Sequence, residues 1–208
     1  MTVATAGIPT PTDEQVMWLV KQEGDPEVFA RLVHRWQQPL QRLCWRMTGD
    51  PHQAEDLTQT AFLKVFAQRA AWEPGGRFST FLWRVALNLC HDELRRVRRR
   101  SELPLQALET PEGGGRDLVD GGAAPDSAAA QRDQGEQVRR ALLALSPIHR
   151  EVLILRHYEG FKFHEIASLL RVPEGTVKSR MAEGLTHLGR RLGHLREAGA
   201  DASVRAAE

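Results

Sequence analysis

Apolar positions in this chain recur at steps of three and four, and strand-like alternation of useful length is absent. That spacing predicts an all-α protein. Thr12 with Gln15 is a candidate capping box for a first helix, which carries Val16, Leu19 and Val20 on one face and closes at Gly24. Asp25-Pro26 is a second start, with an acidic cap and a proline at the first helical position. Phe29, Leu32, Val33, Trp36, Leu40, Leu43, Cys44 and Met47 then hold one stripe, which Pro39 is expected to kink. Gly49-Asp50-Pro51 ends that helix and opens another, with Ala54, Leu57, Ala61, Phe62 and Val65 inward. A loop over 72–78 leads to a helix expected to be capped near Ser79. It carries Phe81, Leu82, Val85, Ala86 and Leu89 and runs on into five arginines between 95 and 100.

The pattern then lapses. Residues 101–137 contain Gly113-Gly114-Gly115, Gly121-Gly122, Pro104, Pro111 and Pro125, no aromatic residue and little periodicity. Such a segment cannot bury enough surface to offset its ordering entropy, so it reads as a flexible linker. Periodicity returns with Val138, Leu142 and Leu145. Ser146-Pro147 starts a helix burying Ile148, Val152 and Leu155, and Gly160 follows it. A short helix places Ile166, Ala167, Leu169 and Leu170 inward. The turn Arg171-Val172-Pro173 leads to a long one with Val177, Met181, Leu185, Leu188 and Leu192 on one face. The expected organisation is therefore two small helical domains, 12–100 and 138–192, joined by the linker and expected to fold independently. A disordered N-terminus, 1–11, and a tail, 193–208, flank them.

Charge sharpens this division. The chain of 208 residues carries a net charge of only +1. Yet residues 1–100 sum to +3, 101–137 to −6 and 138–192 to +5. Two basic segments around an acidic one suit a nucleic-acid partner. No run approaches the roughly 20 apolar residues of a membrane span, and the first fifteen residues lack the pattern of an export signal. Cys44 and Cys90 both fall on apolar helical faces, which predicts buried thiols and a cytoplasmic setting. No metal-ligand spacing, phosphate-binding glycine loop or nucleophile elbow occurs, so neither a cofactor nor catalysis is expected.

The stretch F-H-E-I-A-S-L-L-R-V-P-E-G-T-V-K-S-R-M at 163–181 carries the most information. A short apolar-faced helix, a three-residue turn and a second helix predict a helix-turn-helix. With Val177, Met181 and Leu185 inward, the opposite face carries Thr176, Ser179, Arg180, Glu183 and His187, and Lys178 sits at its edge. Short polar and cationic groups at a helix N-terminus suit the major groove of duplex DNA.

At this point the sequence resembles a family. The run L-S-P-I-H-R-E-V-L-I-L-R-H-Y-E-G-F-K-F-H-E-I-A-S-L-L-R-V-P-E-G-T-V-K-S-R is similar to region 4 of bacterial sigma factors of the extracytoplasmic-function type. Residues 24–33, 49–66 and 78–96 resemble region 2, in the expected order. The resemblance implies a protein that binds core RNA polymerase and promoter DNA and leaves the chemistry to the polymerase. Asp56, Leu57, Gln59, Phe62 and Leu63 match the polymerase-binding helix. The loop 72–80 and the following helix start match the element that captures the melted non-template strand. Asn88, Asp92, Arg95 and Arg96 match its basic end, while Lys178, Ser179 and Arg180 match the reading positions for the upstream duplex element. An anti-sigma factor is implied as a further partner. Trp72, Phe78 and Trp83 are candidate stacking platforms for extruded bases, although rings at such positions more often belong to a core. Arg95, Arg96, Arg98, Arg99 and Arg100 are candidate phosphate contacts, with a favourable helix-dipole interaction as the simpler explanation. A stand-alone helix-turn-helix regulator is the alternative reading, and it needs none of the region 2 motifs.

Overall fold

The computed structural model describes the backbone over residues 11–102 and 135–205, and side chains over 11–100 and 135–193. Among these residues every regular element is helical. Helix α1 (Asp13–Glu23) starts at the expected capping box: the Thr12 hydroxyl accepts from the Gln15 N–H, and the Gln15 side chain accepts from the Thr12 N–H. Helix α2 (Pro26–Thr48) begins at the Asp25 cap and continues as helix through Pro39. It closes at Gly49, whose φ of 83° lies in the left-handed region. That position also needs glycine for space, since a Cβ there would come within 2.7 Å of the Leu143 side chain. Helix α3 (Pro51–Ala67) opens on Asp50, whose carboxylate accepts from the His52 and Gln53 N–H groups. A short 3-10 turn, Arg69–Ala71, leads into the loop before α4 (Phe78–Glu102).

Helix α4 starts at Phe78, two residues earlier than a cap at Ser79 gives, and its first N–H is met from far away. The Glu14 carboxylate, on α1, accepts from the Phe78 N–H at 3.1 Å. A local reading that looks for Ser or Asp beside the first turn has no access to this partner. The aromatic rings explain why α1 and α4 meet. Trp36 stands edge-on to Trp83 at 5.7 Å and to Phe78 at 6.4 Å, while its indole N–H donates to Asp13 on α1. Burying one such ring removes about 150–250 Å² from water, or roughly 4–6 kcal/mol before ordering entropy is counted. Cys44 and Cys90 are buried free thiols in the same core, as expected.

The C-terminal half comprises α5 (described over 135–143), α6 (Pro147–His157), α7 (Phe163–Leu170) and α8 (Glu174–Arg205). Helix α4 therefore reaches 102 and helix is already present at 135, so both bite into the expected linker. Its remaining residues, 103–134, and the N-terminal 1–10 lie outside the described residues. The tail expected from 193 is instead a continuation of α8 to Arg205. Three positions expected inward need correction, and the core holds residues not assigned to it. Leu19, Ile148 and Leu185 are exposed, while Met17, not assigned to the core, is completely buried. In α6 the buried residues form an unbroken run from Arg150 to Leu155, which one amphipathic face cannot produce.

The reason is that α6 is covered on two sides. Helices α7 and α8 pack on one side, while α2 and α4 approach the other. The two halves thus lie in contact along a seam. Arg46 lies over the Tyr158 ring at 4.2 Å and 3.7 Å from the Glu159 carboxylate. Burial pushes the Glu159 carboxyl up despite that cation, and it pushes the Arg46 guanidinium down. Arg77 pairs with Glu165 at 2.8 Å. Arg150, buried inside the C-terminal half, donates to the carbonyls of Leu142, Leu143 and Leu145 and reaches across to that of Met47.

Candidate nucleic-acid interface

Helix α7 ends at Arg171, whose φ of 57° turns the chain sharply without glycine. This turn delivers the N-terminus of α8. Val177 and Met181 are buried beneath it, so the open face presents Thr176, Lys178, Ser179, Glu183 and His187. Lys178 pairs with Glu174 one turn earlier at 2.7 Å, and this cation holds the exposed Glu174 carboxyl below the usual carboxylate range. The Ser179 hydroxyl donates to the Thr176 carbonyl at 3.1 Å. Glu183 lies 3.1 Å from the His149 ring, which stacks on His187. Glu183 therefore has an internal partner and is not a bare carboxylate in front of the groove.

Arg180 departs from the expected arrangement. Its side chain is only 23% exposed and turns toward Glu151, 3.5 Å away inside the seam. Glu151 is nearly inaccessible and also holds His91 of α4 at 2.5 Å. A buried carboxylate without such partners would be costly, which is why it gathers a cation from α8 and an imidazole from α4. The outward cluster on α8 is accordingly Thr176, Lys178 and Ser179, with Arg180 held sideways in this conformation.

Trp72, in the loop before α4, and Phe78 and Trp83, on α4, are all core residues, each at most 3% exposed. This corrects their assignment as stacking platforms in this conformation, because no ring face is open to a base. The basic end of the helix is exposed, but partly neutralised locally. Arg95 pairs with Asp92 at 2.5 Å, and Arg96 grips Glu93 through two bonds of 2.8 Å. Arg98, Arg99 and Arg100 continue the exposed basic stretch, and Asn88 is exposed one turn before Asp92.

The five residues expected to meet polymerase divide by helix geometry. Asp56, Gln59 and Leu63 share one exposed face of α3, with Leu63 71% exposed. Leu57 and Phe62 point the other way into the core, where Phe62 meets Phe29 edge-on. Beside the exposed stripe runs a groove of about 580 Å³ between α2 and α3, with Phe29, Val33 and Phe66 in its lining. Of these, Phe29 and Val33 read from the sequence only as core stripe, and Phe66 is not assigned there. Of the seam residues, Arg171 reads from the sequence only as part of a turn and His91 only as an ordinary helix residue, and Arg84, Arg150 and Glu151 carry no assignment. The one available signal was a charged pair, Arg150-Glu151, set directly against the apolar run Val152–Leu155. Among the described residues no cluster of three metal-binding side chains occurs, and no helix is long and apolar enough to cross a membrane.

With this geometry in place, the comparisons with known proteins are specific. The Sigma-70 region 2 family model matches residues 32–100, and the Sigma-70, region 4 model matches residues 135–188. The ECF RNA polymerase sigma factor SigW of Bacillus subtilis is 30% identical over 173 residues, covering 82% of this chain and 92% of that relative. Two solved structures share the fold. CnrH in complex with the cytosolic domain of CnrY has a TM-score of 0.63 at 21% identity, over 88% of this chain and 97% of that one. The sigma factor RpoE in complex with the anti-sigma factor NepR from Bartonella quintana has a TM-score of 0.59 at 22% identity, over 79% and 96%. Two sigma regions in order on one helical chain leave a single assignment: this protein belongs to the extracytoplasmic-function family of RNA polymerase sigma factors and is an alternative sigma factor that directs transcription initiation.

Proposed function

We propose a division of that task among named surfaces. The exposed face of α3, with Asp56, Gln59, Leu63 and the adjoining apolar groove, docks core polymerase. Thr176, Lys178 and Ser179 at the start of α8 meet the upstream duplex element, and Arg180 joins them once the seam opens. The end of α4, with Asn88, Asp92 and the arginines from 95 to 100, holds the backbone of the melted downstream strand. The sigma factor itself catalyses nothing and works in the cytoplasm beside the polymerase. RpoE, which shares the fold, is bound by an anti-sigma factor; a protein of that kind, covering the α3 face, would regulate this chain as well.

The observation that carries the reading is the exposed α3 stripe. Leu63, open to solvent, flanked by a carboxylate and an amide and continuous with an apolar groove, forms a patch that suits a partner surface. Asp56→Arg should weaken assembly with core polymerase about tenfold or more, while circular dichroism and the melting midpoint stay near those of the parent. Run-off transcription on a promoter library should fall in parallel. Unchanged polymerase affinity in Asp56→Arg and in Leu63→Asp would exclude α3 as the docking face.

A further inference from the structure

The seam between the two halves encloses a cleft of about 430 Å³, walled by α4 on one side and by α6, the Arg171 turn and α8 on the other. Its charge is lopsided. Arg84, Arg95, Arg171 and Arg180 line it against one carboxylate, Glu151. Two of these cations are matched, Arg95 by Asp92 and Arg180 by Glu151. Arg84 and Arg171 are not: among the described residues neither meets a carboxylate. Arg84 uses its Nε and one terminal nitrogen to donate to the carbonyls of Leu169 and Ser168, at 3.3 and 3.1 Å, at the end of α7. Its other terminal nitrogen has no such acceptor. Burial, and then the charge on Arg171, push the Arg84 guanidinium below its ordinary value.

Two guanidiniums drawn together without a counter-ion repel one another, and an anion placed between them turns that repulsion into attraction. Guanidinium forks match the oxygens of a phosphoryl group, and the exposed Asn88 side chain adds an amide to the same wall. The volume lies at the small end of ligand sites, enough for a short phosphoryl chain. The apolar part of the lining is aliphatic, from Leu87, Ile148, Leu169, Leu170 and Val172, and its one ring, the His91 imidazole, is held by Glu151 at 2.5 Å.

We propose that this seam binds a small phosphoryl anion of the pyrophosphate or nucleoside-polyphosphate class, and that its occupancy holds the C-terminal half against α4. The site reads phosphoryl charge and ignores the base. It belongs to the free, closed chain; it shares Asn88, Arg95 and Arg180 with the proposed promoter surfaces, while Arg84 and Arg171, on which it rests, are assigned to none of them.

The test is titration calorimetry of pyrophosphate into the full chain at physiological ionic strength. One-to-one binding is expected, with ATP and GTP matching pyrophosphate to within about threefold. Arg171→Asn, which tolerates the left-handed turn, and Arg84→Gln should each weaken it about tenfold, the scale of one charge-assisted contact. Arg190→Gln, exposed on α8 outside the cleft, should bind as the parent does. Hydrogen exchange across 163–170 should slow when pyrophosphate is added. Absence of saturable heat up to millimolar pyrophosphate, or parental affinity in both cleft variants, would overturn the site. Exchange that ignores the ligand would overturn the clamp. A preference of more than about tenfold for one nucleotide over pyrophosphate would refute phosphoryl-only reading. Arginine-dependent binding of a single-stranded oligonucleotide without any binding of pyrophosphate would reassign the pair to nucleic-acid backbone.

Discussion

The two halves solve the problem of a small helical core in different ways. The N-terminal half fills its interior with rings: Phe29, Phe62, Trp72, Phe78 and Trp83 are buried, with Trp36 packed against them. Among the described residues its buried polar side chains are Thr58 and Glu93, and each has an ordinary local partner. The C-terminal half packs mainly aliphatic chains, Val152, Leu153, Ile154, Leu155, Ile166, Leu169 and Val177, around two buried charges. Those charges are satisfied partly by the other half, Arg150 through the Met47 carbonyl and Glu151 through His91. The comparison teaches that the N-terminal half is the self-sufficient one. The helix-turn-helix half completes part of its polar interior only when it is closed on its neighbour.

The largest break in this comparison should come from the thin aliphatic core. Val177 is completely buried where α8 meets α6 and α7. Val177→Asp puts an unpaired carboxylate there, at a cost on the order of 4 kcal/mol or more. The C-terminal half should lose its cooperative transition, and limited proteolysis should open it, while the aromatic half still melts near its original midpoint. A common downward shift of both halves would show instead that the N-terminal half depends on the seam as well.

A smaller effect should come from the charge that joins the halves. Arg150 supplies donors to four carbonyls, three around the end of α5 and one at the end of α2. Burial already pushes its guanidinium below the ordinary value, so its bonds form where water does not replace them. Arg150→Leu keeps the volume roughly apolar and strands those acceptors, costing about 2–4 kcal/mol. Differential scanning calorimetry should resolve two transitions where the parent shows strong coupling. A variant as stable and as coupled as the parent would mean that packing alone holds the seam.

How much of this was legible follows from the range of each interaction. Local chemistry was readable: the capping box at Thr12, the Asp-Pro helix starts, the glycine stop at Gly49 and the helix-turn-helix all depend on neighbours within a few residues. The stripe of α2 was readable because a helix buried on one face leaves a period. Helix α6 was misread for the opposite reason. Buried on two sides, it shows no period, so the spacing omits the buried Leu153 and Ile154 and places the exposed Ile148 in the core. The site residues divided similarly. Gln59 and Lys178 are exposed as their helical phase requires, whereas Arg180 turns away from its expected face because its partner, Glu151, lies 29 residues earlier. A charge that finds its counter-ion through tertiary packing leaves no trace in local spacing.

The finest test of the comparison is a charge at the rim of the seam. Glu136, in α5, accepts from Arg139 and Arg140, and these bonds, that of Arg139 foremost, lower its carboxyl to about 2. Arg139 in turn donates to the Gly49 carbonyl and lies 5.7 Å from the centre of the Trp45 ring, so the carboxylate orients a cation that touches the N-terminal half. A carboxyl depressed in the folded state stabilises it at pH above the unfolded value of about 4.3, and loses that contribution as pH falls toward about 2. Glu136 is 35% exposed in its side chain, however, and solvent screens much of the attraction. Glu136→Gln should therefore cost less than about 1 kcal/mol at neutral pH. Urea midpoints of parent and variant should differ slightly at pH 7 and converge near pH 2, with high salt narrowing the gap at pH 7. A gap that persists at pH 2 would trace the effect to lost packing of Arg139 on Trp45, and the seam would then owe its rim to contact rather than to charge.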